Sequence, residues 1–317
     1  MSKPANVFIM EVGPRDGLQM QTAVLSVQDK IGLIERLAAA GLPAIEVGSF
    51  VNPKSVPQMA NSGEVFHGLP SGGAVQYHGL WLNARGLAQA LENGRVMVTG
   101  KLMLTATETF SMRNTNKSIA QTLEGFPAWI DQYRAAGIET DDLHILAAFG
   151  CNFDGAVSAG RVVDLIARGE VVMRQHGARL KRICLADTMG WGNPRQTRAL
   201  IGAVRERWPD LIIKLHLHDT RGMAIANAAA AIEMGVMEFD ASIGGLGGCP
   251  FAGNRGAAGN ICTEDLAFLC AEMGLETGID LDLLVEAACY AEALLGSTLP
   301  GKVMKSGSLA RYRSRTA

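Results

Sequence analysis

The sequence predicts an α/β protein of the TIM-barrel class, (β/α)8, with additional helices at its C-terminus. Short aliphatic runs alternate with amphipathic stretches eight times along the chain, and eight consecutive strand–helix units indicate a closed parallel barrel. The length of 317 residues is ordinary for one such barrel, and 48% hydrophobic with only 6% aromatic residues suits an aliphatic core. A doubly wound open sheet is the alternative, but it rarely has eight strict repeats without a break in composition.

The first half of the chain supplies four of the strand–helix units. Val7–Val12 is the first predicted strand, and Gln28–Ala40 is a predicted helix because its apolar residues recur at helical spacing. Gly41 follows this helix directly, as a C-terminal cap does. The other predicted elements of this half are Ala44–Val47, a helix after Pro57, Val75–Leu82, Leu87–Asn93, Val96–Leu104, a long loop Thr105–Lys117, and the helix Ser118–Ala136.

The second half supplies the other four units and an extension. Its predicted strands and helices are His144–Phe149, Val157–His176, Arg182–Ala186, Pro194–Trp208, Leu211–Leu217, Met223–Met234, Val236–Ile243 and Glu264–Met273. We divide the chain into a barrel domain, residues 1–275, and a C-terminal helical extension with a basic tail, residues 276–317.

Composition excludes several classes of function. The net charge of −2 and the pI near 6.3 lack the basic excess of a nucleic-acid-binding or membrane-surface protein. No uninterrupted apolar stretch reaches about 18 residues, and the N-terminus lacks the apolar core of a secretory signal. The six cysteines are scattered without a CxxC motif, which indicates reduced thiols. We therefore expect a cytoplasmic protein that binds neither nucleic acid nor membrane.

Active sites of TIM barrels lie at the C-terminal ends of the strands, so the polar residues that follow each strand should meet at one mouth. These residues are Arg15, Asp16, Glu46, Ser49, Asn83, Glu108, Asn114, Asn116, Asn152, Asp187, Thr188, His216, His218, Cys249, Asn254 and Asn260.

Two histidines at the end of the seventh strand suggest a metal site. His216 and His218 point to the same face of the strand, about 6.5–7 Å apart along it. Asp16 is the best-placed carboxylate, and an amide oxygen from Asn260 would complete the shell. Such a mixed set of nitrogen and oxygen ligands favours Mg²⁺ or Mn²⁺ over a structural Zn²⁺ site. The alternative is a polar strand end with two partly exposed histidines.

Four further side chains each have a functional and a structural interpretation. Arg15 is either a fixed cation beside a developing oxyanion or one partner of a barrel-closing salt bridge. Glu46 either orients Arg15 or a hydroxyl group, or is a strand-end ion-pair partner. Asp187 either holds a polar group of the substrate or caps the sixth helix. Cys249, in a glycine-rich loop, is either a proton donor delivered when the loop closes or a buried thiol in a tight turn.

Five motifs together resemble the 3-hydroxy-3-methylglutaryl-CoA lyase family, whose members are TIM-barrel metal-dependent enzymes. The resemblance extends from about Val7 to Lys305, and the cysteine loop is its most specific part. The motifs are VGPRDGLQ at Val12–Gln19, IEVGSF at Ile45–Phe50, ADTMG at Ala186–Gly190, HLHDT at His216–Thr220 and GGLGGCPF at Gly244–Phe251.

The resemblance implies a reaction and a metal. The reaction is the retro-Claisen cleavage of 3-hydroxy-3-methylglutaryl-CoA, an acyl-CoA substrate, to acetyl-CoA and acetoacetate, a step of leucine degradation. The implied ligands of Mg²⁺ or Mn²⁺ are Asp16, His216, His218 and Asn260. The C-terminal helices make a homodimer the expected assembly.

The resemblance also implies catalytic roles. Arg15 would stabilise the enolate oxygen of the departing acetyl-CoA, and Glu46 and Asp187 would belong to the catalytic network. His216 would take part in proton transfer, and Cys249 would act from its loop on the closed complex. The residues that we expect to contact substrate are Gln19, Ser49, Asn114 and Thr188.

Departures from the family pattern lie near the mouth, so the carboxylate-bearing half of the substrate could differ from methylglutaryl. The segment between Cys249 and Asn260 is two residues longer than usual, which makes Asn254 an alternative ligand. Asn152 replaces a usual proline, Arg221 a common aromatic residue, and Cys184 a frequent serine. Alternative functions are a lyase for another 3-hydroxy-3-substituted acyl-CoA such as citramalyl-CoA, a condensing acyltransferase of the isopropylmalate-synthase type, a metal-dependent hydrolase and a non-catalytic binding barrel.

Overall fold

A computed structural model describes residues 6–248 and 258–313 of the chain. Cys249 and Asn254, both singled out above, lie outside the described residues. None of the described helices combines the length and the apolar character that crossing a membrane requires.

The described strands form the predicted parallel sheet and one short hairpin. They are β1 Phe8–Glu11, β2 Ala44–Phe50, β3 Gln76–Trp81, β4 Gly100–Thr105, β5 Thr140–Leu146, β6 Gly150–Cys151, β7 Gly155–Ala156, β8 Arg182–Asp187, β9 Ile212–Leu217 and β10 Glu238–Ala241. Eight of them are hydrogen-bonded in the order β3-β2-β1-β10-β9-β8-β5-β4, while β6 and β7 form a separate antiparallel hairpin. Apart from that hairpin, the order follows the chain as it does in a TIM barrel, so the predicted fold class is confirmed.

Helices follow the strands of the sheet, as the alternation in the sequence predicts. They are α1 Val27–Ala39, α2 Ser62–Gly68, α3 Ala84–Asn93, α4 Glu108–Thr115, α5 Ile119–Glu124, α6 Phe126–Ala135, α7 Ala159–Gln175, α8 Pro194–Arg207, α9 Ala224–Glu233, α10 Thr263–Glu272, α11 Leu281–Leu295, α12 Val303–Ser306 and α13 Ala310–Arg313. Short helical turns of other types occur at Gly13–Gly17, Pro57–Met59 and Ile243–Gly245.

The chain divides into two compact units, of which the first contains residues up to 97, residues 240–247 and residues from 258 onward. In this unit α1 begins with a capping box, in which Ser26 accepts from the backbone N–H of Asp29 and the Asp29 carboxylate accepts in return. Helix α11 packs on α1, where the Arg36 guanidinium lies 3.8 Å over the Tyr290 ring. The residues after 275 that form α11 are thus packed against α1 within the same unit.

The second unit, residues 98–239, contains the parallel pairs β4–β5, β5–β8 and β8–β9. Two of its helices differ from the prediction. The expected loop Thr105–Lys117 contains α4, whose polar sequence has no apolar period, and it ends at Asn116 with a positive φ of 54°. The expected helix Ser118–Ala136 is two helices that meet at Gly125, because Pro127 lacks the N–H that a continuing helix needs and favours a new start.

The fifth strand also differs from the prediction. It spans Thr140–Leu146 rather than His144–Phe149, so His144 lies inside the strand and not at its start. Its ring Nε2 lies 3.0 Å from Oδ2 of Asp142, two residues earlier on the same strand. The predicted start of the strand was wrong because the polar residues at 140–142 interrupt the apolar run.

Two helical glycines give opposite stability predictions. A Cβ at Gly86 in α3 would collide with the carbonyl oxygen of Phe50, whereas a Cβ at Gly202 in α8 would meet no atom within 4 Å. We expect Gly202→Ala to raise the free energy of unfolding by about 0.5–1 kcal/mol, because alanine is the better helix former. Gly86→Ala should lower it by about 2 kcal/mol or more, because the backbone has to move. Urea denaturation measures both, and equal effects of the two substitutions would contradict the packing around Gly86.

Candidate active site

Arg15 and Asp16 lie on a tight helical turn after β1. The carbonyl oxygen of Val12 accepts from the N–H groups of Asp16 at 2.7 Å and Gly17 at 3.2 Å. A Cβ at Gly13 would lie 2.6 Å from an oxygen of Glu11, and one at Gly17 would lie 2.8 Å from the Cβ of Leu246. The two glycines of the GPRDG sequence therefore allow close packing around the turn. The two charged residues, Arg15 and Asp16, lie between these glycines.

Arg15 is a largely buried cation between two carboxylates, with 12% of its side chain exposed. Its Nε donates to Oε2 of Glu46 at 2.5 Å, and its Nη1 donates to Oδ1 of Asp16 at 2.6 Å. Burial disfavours the charged guanidinium, but Glu46 and Asp16 outweigh that effect and raise the pKa of Arg15 above its ordinary value. Arg15 thus forms the expected ion pairs and remains a permanent positive charge, so its structural and functional interpretations are compatible.

Asp16 is also bound by two amide side chains. Gln19 donates from Nε2 to Oδ1 of Asp16 at 3.2 Å, and Asn260 donates from Nδ2 to Oδ2 at 2.8 Å. The second hydrogen of the Asn260 amide goes to the carbonyl oxygen of Leu246 at 3.1 Å. Asn260 is buried, and its Oδ1 is the atom that remains to act as an oxygen ligand.

The two histidines converge at the end of β9. Nε2 of His216 lies 3.1 Å from Nε2 of His218. Two adjacent ligands of an octahedral ion with bonds of about 2.1 Å lie about 3.0 Å apart, so the pair has the spacing that one divalent cation requires. The common face predicted for the pair is confirmed, and the donor chemistry fits a metal.

Asp187 at the end of β8 binds backbone and does not cap the next helix. Its Oδ1 accepts from the N–H of Trp191 at 2.7 Å and its Oδ2 accepts from the N–H of Gly192 at 2.9 Å. Asn193 caps α8 instead, because its side chain accepts from the N–H of Gln196. Burial raises the pKa of Asp187 to about 6, although the two N–H donors, His216 and Arg221 oppose the rise.

The other expected substrate contacts differ in burial and in hydrogen bonding. Oγ of Ser49 is buried and has no hydrogen-bond partner among the residues that the structure describes. Oγ1 of Thr188 accepts from the N–H of Ala147 at 2.9 Å, which leaves its own proton available for a donation. Asn114 is exposed on α4. Of these three side chains, Ser49 has the clearest unused capacity for a substrate.

The sequence interpretation missed two buried carboxyl groups in the first unit. Glu11 accepts from the N–H groups of Gly13 at 2.7 Å and Ile243 at 2.9 Å and from the hydroxyl of Thr263 at 2.6 Å. Glu264 accepts from the N–H of Gly244 at 3.1 Å. Burial raises the pKa of each to about 7. The sequence does contain one signal for Glu11, because it is the single charged residue inside the apolar first strand.

Known proteins match the chain over almost its whole length. The HMGL-like family profile matches residues 6–290. A Pseudomonas aeruginosa relative named 3-hydroxy-3-isohexenylglutaryl-CoA/hydroxy-methylglutaryl-CoA lyase is 41% identical over 306 residues, 96% of this chain and 98% of that one. The (R)-citramalyl-CoA lyase of Chloroflexus aurantiacus is 41% identical over 318 residues, 95% of each chain. The structure of an HMG-CoA lyase from Acinetobacter baumannii, in complex with coenzyme A and 3-methylmalate, matches with a TM-score of 0.84 at 37% identity and covers 96% of each chain.

These relatives are named as lyases that act on acyl-CoA compounds, and with the fold and the side chains above they define a TIM-barrel carbon–carbon lyase. The chain belongs to the HMGL-like family, and the resemblance seen in the motifs is confirmed.

The raised pKa of Glu11 gives a prediction for stability against pH. A carboxyl whose folded pKa is raised from 4.5 to about 7 contributes stability that is complete below 4.5 and is lost as the pH rises through about 7. Glu11→Gln keeps the acceptor oxygen and cannot ionise. We expect the loss in the free energy of unfolding between pH 5 and pH 8 to be smaller in this variant, by on the order of 3 kcal/mol.

Urea denaturation at the two pH values measures this difference. Glu92→Gln, an exposed substitution on α3, is the control and should keep the wild-type pH dependence. Parallel pH profiles for wild type and Glu11→Gln would show that the Glu11 carboxyl is not protonated in the folded protein.

Proposed function

We propose that the protein is a divalent-metal-dependent lyase that cleaves 3-hydroxy-3-methylglutaryl-CoA to acetyl-CoA and acetoacetate. The proposal is supported by membership of the HMGL-like family and by the names of relatives that share nearly the full length of the chain. A similar structure that contains coenzyme A and a small hydroxy acid supports an acyl-CoA substrate.

The proposed metal ligands are Asp16, His216, His218 and Asn260, with Mg²⁺ or Mn²⁺ as the ion. The observation that carries the proposal is the 3.1 Å spacing of the two imidazole nitrogens, which suits two ligands of one divalent cation. The contact of the Asn260 amide with Asp16 supports the other two proposed ligands. When bound, the ion supplies Lewis-acid polarisation of the hydroxyl and carbonyl oxygens of the substrate.

The reaction requires that negative charge on the thioester oxygen be stabilised while the carbon–carbon bond breaks. A base takes the proton of the C3 hydroxyl, and the electron pair of that O–H bond forms the C=O bond of acetoacetate. The electrons of the C2–C3 bond move to the thioester, which becomes the enolate of acetyl-CoA. Arg15 is the group that we assign to this enolate oxygen, because its charge is permanent and its position is held by Glu46. Such stabilisation in a site without water is commonly the largest contribution to catalysis.

Two proton transfers complete the proposed reaction. We assign His216 and the Asp187 network to the removal of the hydroxyl proton, since Asp187 is buried, has a pKa near 6 and interacts electrostatically with His216. We assign to Cys249 the role of the proton donor to the enolate carbon. This assignment rests on the cysteine loop motif. Gln19, Ser49, Asn114 and Thr188 remain the proposed substrate contacts.

A lyase for citramalyl-CoA is the second candidate. The (R)-citramalyl-CoA lyase of Chloroflexus aurantiacus is as similar to this chain, at 41% identity, as the relative named for hydroxymethylglutaryl-CoA. Both substrates would undergo the same bond cleavage, with a keto acid as the second product. We further infer a cytoplasmic homodimer that acts in leucine degradation, from the composition, the C-terminal helices and the proposed reaction.

A panel of acyl-CoA substrates tests the function. Protein stripped of metal with EDTA and then supplied with Mn²⁺ is assayed with 3-hydroxy-3-methylglutaryl-CoA, citramalyl-CoA and longer 3-branched analogues. We expect acetyl-CoA and acetoacetate from the first, with kcat/KM about tenfold or more above the others, a factor that corresponds to about 1.4 kcal/mol. Faster pyruvate release from citramalyl-CoA would select the second candidate, and release of free CoA would show a hydrolase instead.

A further inference from the structure

Arg221 links the loop after β9 to the loop after β8. Its Nη1 donates to two successive carbonyl oxygens of the second loop, those of Met189 at 3.0 Å and Gly190 at 2.9 Å. The two loops are also in close contact, because a Cβ at Gly190, whose φ is 63°, would lie 2.7 Å from the Cβ of Thr220. One exposed guanidinium thus holds the backbone of residues 187–191, which we call the β8 loop.

Asn152 holds the same loop from a second direction. It lies in the turn of the β6–β7 hairpin, and its Oδ1 accepts from the indole Nε1 of Trp191 at 2.7 Å. The Trp191 ring covers the start of this hairpin, since a Cβ at Gly150 would lie 2.9 Å from two of its ring carbons. The backbone N–H of Trp191 is bound to Asp187, so the indole and the carboxylate are parts of one connected loop.

The underside of the β8 loop is packed independently of these two hydrogen-bonding groups. Met189 belongs to a buried apolar cluster with Phe110, Ala147 and Cys151, and Trp191 packs against its edge. Arg221 and Asn152 are exposed, so water can replace the hydrogen bonds that they make. The cluster therefore accounts for folding of the loop, whereas the two polar side chains constrain its exact position.

We propose that Arg221 and Asn152 are positioning residues that fix the β8 loop, and with it Asp187 and Thr188, relative to the reacting part of the substrate. The inference rests on the proposed lyase function. Asp187 and Thr188 are adjacent residues of this loop, so a shift of the loop backbone changes the position of both side chains and of the hydrogen bonds that they accept. Displacement of a catalytic group by about 1 Å can lower a rate by about 100-fold without a change in chemistry.

The test compares variants that remove each hydrogen bond with variants that keep it or remove an equivalent one elsewhere. Arg221→Gln and Asn152→Leu remove the two contacts, and Asn152→Asp keeps an acceptor for the indole. Arg205→Gln is the matched control, because Arg205 also donates to two successive carbonyl oxygens, those of Met234 and Gly235, before β10 and therefore at the other end of the strands.

Four quantities are measured for each variant: kcat, KM, the dissociation constant for Mn²⁺, and the fluorescence emission of Trp191. The Trp191 emission is obtained by subtracting the spectrum of the same protein with Trp191→Phe. We expect Arg221→Gln and Asn152→Leu to lower kcat about 10- to 100-fold, with KM and Mn²⁺ affinity within about threefold of wild type. Both should shift the Trp191 emission. Asn152→Asp should restore kcat to within about threefold, and Arg205→Gln should leave kcat unchanged even where it lowers Tm.

Two results would overturn the inference: kcat values of Arg221→Gln and Asn152→Leu within twofold of wild type, or an equal loss in Arg205→Gln. Failure of the proposed function is a separate outcome, seen as wild-type protein that cleaves none of the acyl-CoA panel. In that event an unchanged Trp191 emission in both variants would still overturn the claim that these residues hold the loop.

Discussion

The largely buried ion pair between Arg15 and Glu46 is the interaction on which the first half of the candidate site depends. A guanidinium removed from water is stable only if carboxylates compensate its charge, and here Glu46 and Asp16 do so at 2.5 and 2.6 Å. The same pairing points one oxygen of Asp16 toward Arg15 and leaves the other to the Asn260 amide. The Arg15 guanidinium therefore orients Asp16, which we propose as a metal ligand, and we assign the same charge to the enolate.

The second unit brings different chemistry to the ends of its strands. Here imidazoles and backbone N–H groups take the place of the ion pairs around Arg15. His216 and His218 turn their Nε2 atoms toward a common point, and Asp187 is held by two N–H groups with its pKa raised to about 6. This spacing suits the cation that we propose, and a buried carboxyl with a raised pKa is suited to exchange protons near neutral pH.

Periodicity predicted those parts of the fold and site that lie on regular elements. Alternation along β9 placed His216 and His218 on one face, and the repeat of strands and helices gave the barrel order. Sequence reasoning missed helix α4, since its polar residues have no apolar period and its stability comes from contacts with the rest of the fold. It also missed Glu11, because no local signal shows that three separate segments supply the donors to its carboxylate.

We propose that Asp16 and both imidazoles coordinate a single cation, and anomalous X-ray diffraction from crystals containing Mn²⁺ measures this coordination. We expect one anomalous peak at about 2.0–2.4 Å from a carboxylate oxygen of Asp16 and from Nε2 of His216 and His218. A peak bound by the histidines alone, with Asp16 more than about 4 Å away, or no peak at saturating Mn²⁺, would contradict it.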